Sequence, residues 1–137
     1  MNRADFQQLT ELRLREAQAL LAVGLPDGAY YLAGYSVECA LKACIAKRTQ
    51  LHDFPEKKLV NDSHTHDLGK LLTLAELKDE LNAVIMNDPA MQSALDTIQD
   101  WSETSRYQRK KAQEATALLK AIEDEEGGLL PWIRLHW

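Results

Sequence analysis

One segment constrains the fold of this chain more than any other: residues 29–46, with the sequence AYYLAGYSVECALKACIA. It carries only two charges, Glu38 and Lys42, which are four residues apart and therefore lie one above the other on a helix. Tyr31 and Tyr35 continue the same stripe, and the rest of the circumference is apolar or small. Because a helix that is apolar nearly all round is surrounded by other helices, the segment predicts the central helix of an all-α bundle with a single polar stripe.

Composition narrows the class of protein. A chain of 137 residues with 45% hydrophobic content is long enough for one domain with its own core. The net charge of −5 argues against strong non-specific binding to nucleic acid or to anionic membranes. Glu38 and Lys42 in the middle of the apolar segment argue against a membrane span.

The remaining sequence signals indicate a cytoplasmic protein without a cofactor. The first residues, MNRADFQQLTEL, contain no apolar stretch typical of a signal peptide. Cys39 and Cys44 fall on the same buried helix and are expected to be reduced core thiols. No CxxC pair, Walker motif or GxGxxG run occurs, so we expect neither a metal nor a nucleotide cofactor held by these motifs.

Turn residues divide the first half of the chain. The apolar pattern predicts a first helix over residues 4–23, a break at residues 24–28, and Asp27 as the N-cap of the central helix. So short a connection makes the two helices antiparallel neighbours. The polar stretch from Gln50 to Asp67, which contains Pro55, is predicted to be a long loop.

The second half predicts further helices and an apolar tail. Two short Leu-rich helices follow the loop, and Asp88 with Pro89 is typical of an N-cap and first helical position. The last long helix is predicted over residues 109–126, closed by two glycines. We therefore expect one all-α domain over residues 1–128, with residues 129–137 docking on the bundle or on a second subunit.

The order of these features resembles the HEPN domain family. The resemblance rests on YYLAGYSVECALKA at residues 30–43, on His66-Asp67-Leu68 at the start of a Leu-rich helix, and on Arg106-Tyr107 before a final Ala-rich helix. It runs from about residue 4 to residue 124. The resemblance implies an up-and-down antiparallel bundle of about five helices that is usually a homodimer and binds nucleotides or RNA. Such proteins are often encoded beside a minimal nucleotidyltransferase as a toxin–antitoxin-like pair.

One feature of the family is missing. HEPN members that cut RNA carry Arg-x4-6-His on the final helix. None of the four histidines here follows an arginine at that spacing, and no histidine occurs between Arg106 and Gly128. An arginine without its imidazole keeps affinity for phosphate but lacks the usual acid–base partner. We therefore predict a binding module with no catalytic residues of this type.

A local excess of positive charge marks the predicted binding site. Arg106, Arg109, Lys110 and Lys111 fall within six positions of an acidic chain, near the start of the last helix, where the helix dipole opposes cations. Arg106, Tyr107 and Arg109 are predicted to bind phosphate and a base, with the stripe of Tyr31, Tyr35, Glu38 and Lys42 in support. In one hypothesis Glu38 pairs with Arg106 and holds it in place. In the simpler hypothesis Glu38 and Lys42 form an ion pair with each other. Arg106 then pairs with Glu103 or Glu38, and Lys110 and Lys111 are solvated surface residues.

Two alternatives remain open from the sequence. One is a helical protein-interaction domain with no ligand. The more distant one is a metal-dependent phosphohydrolase that uses His64, His66 and Asp67, with His52 upstream and an aspartate downstream. In the simpler interpretation of that stretch, Ser63, Thr65 or Asp67 caps the following helix.

Overall fold

The structure is a computed structural model that describes residues 1–51 and 56–137. The described residues are 76% helical and form eight α-helices and one 3-10 helix with no strand. The predicted all-α bundle is confirmed, with more and shorter helices than the five expected. The α-helices are α1 Arg3–Ala22, α2 Pro26–Leu51, α3 Lys57–Asp62, α4 Leu68–Leu74, α5 Lys78–Ile85, α6 Pro89–Gln99, α7 Ala112–Glu123 and α8 Leu129–Arg134, and the 3-10 helix is Glu103–Tyr107.

The antiparallel pair α1–α2 forms the centre of the bundle. Asn2 caps α1 reciprocally with Asp5: each side chain accepts the other residue's backbone N–H, at 3.0 and 2.9 Å. Gly24 takes the left-handed conformation (φ 79°) that turns the chain into α2. The prediction of Asp27 as the N-cap of α2 is wrong, because α2 begins at Pro26 and the Asp27 carboxylate accepts a hydrogen bond from the distant backbone N–H of Lys110.

Helix α2 supplies more of the core than any other helix, as its composition predicts. Its buried apolar residues pack against α1, α4, α7 and α8, and α6 closes the bundle against α7. Buried leucines and isoleucines of those helices complete one continuous core. The largest fully buried side chains are Leu41, Leu71, Leu81, Ile98, Leu118, Ile122, Leu129, Leu130 and Ile133.

Some predicted helix boundaries are wrong and others are confirmed. The stretch expected to be a loop contains α3, while residues 52–55 of it lie outside the described part of the chain. The predicted caps Asp67 and Asp88 do begin α4 and α6, accepting the backbone N–H of Lys70 at 3.0 Å and of Met91 at 3.1 Å. Helix α7 is shorter than predicted at both ends.

Residues 129–137 form α8 and a short turn against the rest of the chain. Leu129, Leu130 and Ile133 are buried in the core. The Arg134 guanidinium donates to both oxygens of Glu11 at 2.8 to 3.0 Å, which ties α8 to α1. Among the described helices none is long and apolar enough to cross a membrane.

Candidate functional site

The predicted phosphate-binding residues lie on the connection between α6 and α7, residues 101–111, here called the basic segment. It begins at Trp101, continues through the 3-10 helix and runs extended from Gln108 to Lys111, where α7 begins. The predicted last helix is therefore wrong in its first turn: Arg106 lies in the 3-10 helix and Arg109 in the extended part. Glu114 explains the later start, because its carboxylate accepts the Lys111 backbone N–H at 3.1 Å.

Trp101 anchors the start of the basic segment in a notch of α2. The notch exists because residue 34 is a glycine: a Cβ atom there would lie 2.2 Å from the indole ring. The ring is buried and stacks on Tyr31, with centroids 6.2 Å apart and planes at 22°. Ser105, in the 3-10 helix, is buried as well. This end of the segment is therefore held by packing.

Lys110 anchors the other end. Its backbone N–H donates to Asp27 at 2.6 Å, and its ammonium lies 4.4 Å from the centre of the buried Tyr30 ring and 3.8 Å from Glu114. The hypothesis that Lys110 is simply solvated is wrong, because its side chain is only 16% exposed. It contributes a cation–π contact that fixes the segment on α2.

Between these anchors the predicted binding residues project into solvent. The Arg106 guanidinium lies over the Tyr107 ring at 4.8 Å, and Tyr107 is 78% exposed. The hydroxyls of Tyr107 and then Tyr31 beside it raise the pKa of Arg106 above its ordinary value. In the described part of the chain, no carboxylate lies within 4.0 Å of the charged nitrogens of Arg106, Arg109 or Lys111.

The helix dipole bears on fewer of these cations than the sequence suggested. Its effect is confined to the first turn of a helix, and Lys111, as the N-cap of α7, is the residue close enough to feel it. Arg106 and Arg109 lie before the helix. Their positive charges are therefore not opposed by α7.

The polar stripe of α2 divides into two parts. Tyr31 and Tyr35 stack on each other, with centroids 6.0 Å apart, and Tyr31 reaches Arg106. Glu38 lies seven residues further along α2 than Tyr31, about 10 Å at the rise of an α-helix. Only the aromatic part of the stripe therefore lies beside the basic segment.

The ionic part of the stripe has a different partner. Glu38 is 1% exposed, and its Oε1 lies 2.9 Å from both the Lys42 ammonium and the Nδ1 of His66. The hypothesis that Glu38 fixes Arg106 is wrong, because the ion-pair partners of Glu38 in the described part of the chain are Lys42, as the simpler hypothesis predicted, and His66. Since His66 directly precedes the cap of α4, this buried carboxylate fastens α4 to α2.

The candidate metal residues are used in other ways. His66 contacts Glu38, Asp67 caps α4, and His64 lines a separate pocket beside α1. Among the described residues, no group of three His, Cys, Asp or Glu side chains is close enough to share a metal ion. His52, the upstream residue of this alternative, lies outside the described residues.

The two cysteines are buried and free, without a disulfide. Burial raises the pKa of both Cys39 and Cys44 to about 11. Both are therefore neutral thiols near pH 7, and neither carries the nucleophilic thiolate.

Sequence reasoning missed the residues that position the basic segment: Asp27, Tyr30, Gly34 and Trp101. One signal was available. A glycine in the middle of a long helix costs about 1 kcal/mol relative to alanine, which indicates that a neighbour needs close approach. The contacts of Asp27 and Tyr30 join positions some 80 residues apart and leave no local pattern.

Comparison with known proteins agrees with the fold. The family model described as HEPN domain matches residues 10–126, which is most of the chain and includes α2, His66 and the basic segment. In comparisons with curated proteins and with solved structures, the chain has no significant match. The family is associated generally with nucleotides and RNA. On the extent of this match, the chain belongs to the HEPN domain family.

Proposed function

We propose that the basic segment binds the phosphate of a nucleotide or of RNA, with Arg106 as the main contact. One observation supports this most strongly: the segment is fixed to α2 by buried contacts at both ends, while Arg106 and Tyr107 stay exposed. Function is commonly carried by loops that a rigid scaffold positions, and a loop fixed before binding loses little entropy on binding.

The chemistry of the exposed residues suits such a ligand. A guanidinium offers a planar fork of donors that matches two phosphate oxygens, and Arg109 adds a second charge two peptide units beyond Tyr107. The Tyr107 ring can stack on an unpaired base, and the neighbouring Tyr31 supplies a hydroxyl beside Arg106. Because bases in a duplex are already stacked, this arrangement favours single-stranded RNA or a free nucleotide.

The role we propose is binding without cleavage, together with a partner protein. The chain lacks Arg-x4-6-His, so the acid–base pair of the family's ribonucleases is missing. The family resemblance supports a homodimer that acts with a nucleotidyltransferase in a toxin–antitoxin-like pair. Sedimentation at micromolar concentration tests the first part: twice the chain mass is expected, and a monomer would contradict it.

The test of the binding site is a titration of fluorescent single-stranded RNA, followed by anisotropy at low salt. A charge-assisted contact contributes about 1.5–3 kcal/mol, so Arg106→Ala should weaken binding roughly ten- to a hundred-fold. Lys120→Ala removes the same charge from an exposed position on α7 and serves as the control. Equal affinity of wild type and Arg106→Ala would contradict the proposal. No binding of RNA or nucleotide by wild type would favour the ligand-free interaction domain instead.

A further inference from the structure

A concave site lies toward the other end of α2 from the basic segment, between the start of α1 and the turn after α3. It is a pocket of about 340 Å³, here called the α1–α2 pocket. Its apolar wall includes Phe6 and Ile45, and Ala46 lies on its α2 side. The volume is near the lower end of the range for small-molecule sites, roughly 300–1,000 Å³. It is therefore large enough for a small molecule.

The polar lining of the pocket includes three side chains that carry nitrogen donors. Arg3, Lys42 and His64 come from three different parts of the chain, and no described lining residue is a carboxylate. Nitrogen donors that converge on one space from separate elements form a recognition site for an anion.

Two of these donors are held in place. The Lys42 ammonium is positioned by the buried Glu38 at 2.9 Å. The Arg3 guanidinium donates to the carbonyl oxygen of Trp137 at 2.5 Å through one Nη, while its Nε is buried without a hydrogen-bond acceptor among the described residues. Arg3 therefore has N–H groups that no acceptor in the described part of the chain uses.

We propose that the α1–α2 pocket binds a small organic phosphate. The phosphate contacts Arg3, Lys42 and His64, and the organic part packs on Phe6 and Ile45. The site is separate from the basic segment: Lys42 is eleven residues beyond Tyr31 on α2, about 16 Å along the helix axis. The inference does not rest on the proposed function.

Phenyl phosphate is a suitable probe because it joins a phosphate to a small apolar ring. Calorimetry at low salt uses the Arg106→Ala, Arg109→Ala double variant, so that the basic segment contributes nothing to the signal. We expect saturable binding with one site per chain. Inorganic phosphate and phenol should each bind at least ten-fold more weakly, because each offers only half of the contacts.

Three substitutions in that background locate the site. Arg3→Gln removes the charge and the planar fork of the guanidinium, and His64→Ala removes the imidazole. Ala46→Phe fills the pocket without changing its charge. Arg3→Gln and Ala46→Phe should each weaken binding at least ten-fold, and His64→Ala should weaken it by less. Arg15→Gln is the matched control, because Arg15 is exposed on the same helix as Arg3 and lines no part of the pocket. It should change the affinity less than two-fold. Circular dichroism and thermal melting test whether each variant is folded. His64 is exposed, so His64→Ala is expected to fold even if the other two variants do not.

Several outcomes would overturn the proposal of a phosphate site in the α1–α2 pocket. No saturable binding of phenyl phosphate at millimolar concentration would overturn the proposal, as would equal binding of phenol or of inorganic phosphate. Binding that survives both Arg3→Gln and His64→Ala would place the ligand elsewhere and overturn it too. Because phenyl phosphate is titrated in the absence of Arg106 and Arg109, whereas the RNA test compares wild type with Arg106→Ala, either site can fail without the other.

Discussion

The notch at Gly34 gives the sharpest test of how the basic segment is held. Gly34→Ala places a Cβ atom 2.2 Å from the Trp101 ring, well inside normal contact distance. The buried ring must move by more than 1 Å, because carbon atoms normally approach to about 3.5 Å. Its displacement also disturbs the stack with Tyr31 and the position of Arg106.

The magnitude follows from two opposing effects. Alanine in a helix is favoured over glycine by about 1 kcal/mol. Overpacking costs about 1–3 kcal/mol, and partial loss of a buried tryptophan adds more, since Trp→Ala substitutions cost about 3–5 kcal/mol. We therefore expect Gly34→Ala to lower the free energy of unfolding by about 2–4 kcal/mol, or the melting temperature by roughly 5–15 °C.

Gly28→Ala is the matched control on the same helix. There the added Cβ lies 3.1 Å from Cδ1 of Leu20, the end of a flexible side chain, so the change should stay within about 1 kcal/mol. Chemical denaturation of both variants gives the comparison. The double variant Gly34→Ala, Trp101→Leu should cost less than the sum of its single changes, because the smaller side chain removes the clash. A Gly34→Ala protein as stable as wild type would refute the reasoning.

Three further predictions follow from the described contacts. Lys110→Met should lower stability by about 1 kcal/mol through loss of the cation–π contact, whereas Lys111→Met should change it little; equal effects in chemical denaturation would contradict the anchor. Cys39 and Cys44, with pKa values raised to about 11 by burial, should resist iodoacetamide at pH 8 in the native protein and react after unfolding; rapid native labelling would contradict their burial. Purified protein should not cleave RNA without added metal, and a cleavage lost in Arg106→Ala would show that the missing histidine is replaced by another group.

The sequence predicted those parts of the fold that depend on local pattern. The near-continuous apolar character of α2 identified the central helix, and Asp67 and Asp88 were correctly placed as caps because an N-cap bonds within its own turn. The start of α7 was predicted three residues early. Glu114, at the third helical position, was the available signal for the later start.

The site was less predictable because its contacts join distant parts of the chain. Of the two hypotheses for Glu38, a pair with Lys42 is present and a contact with Arg106 is not; the contact of Glu38 with His66, 28 residues away, was not predicted. Asp27 was predicted to be an N-cap, but its carboxylate accepts a hydrogen bond from the backbone N–H of Lys110, 83 residues away. A pattern of charges shows which residues need partners. Only the packing of α4 and the basic segment on α2 decides which partners they find.

The central claim is that Arg106, Tyr107 and Arg109 form the RNA-binding surface. Chemical-shift mapping of isotope-labelled protein with a short single-stranded RNA tests it most directly, since it reports every backbone amide at once. We predict that the largest shift changes fall within residues 103–111 and around Tyr31, and that Arg106→Ala removes them at the same RNA concentration. Changes confined to other surfaces, or an unchanged pattern in Arg106→Ala, would contradict the account.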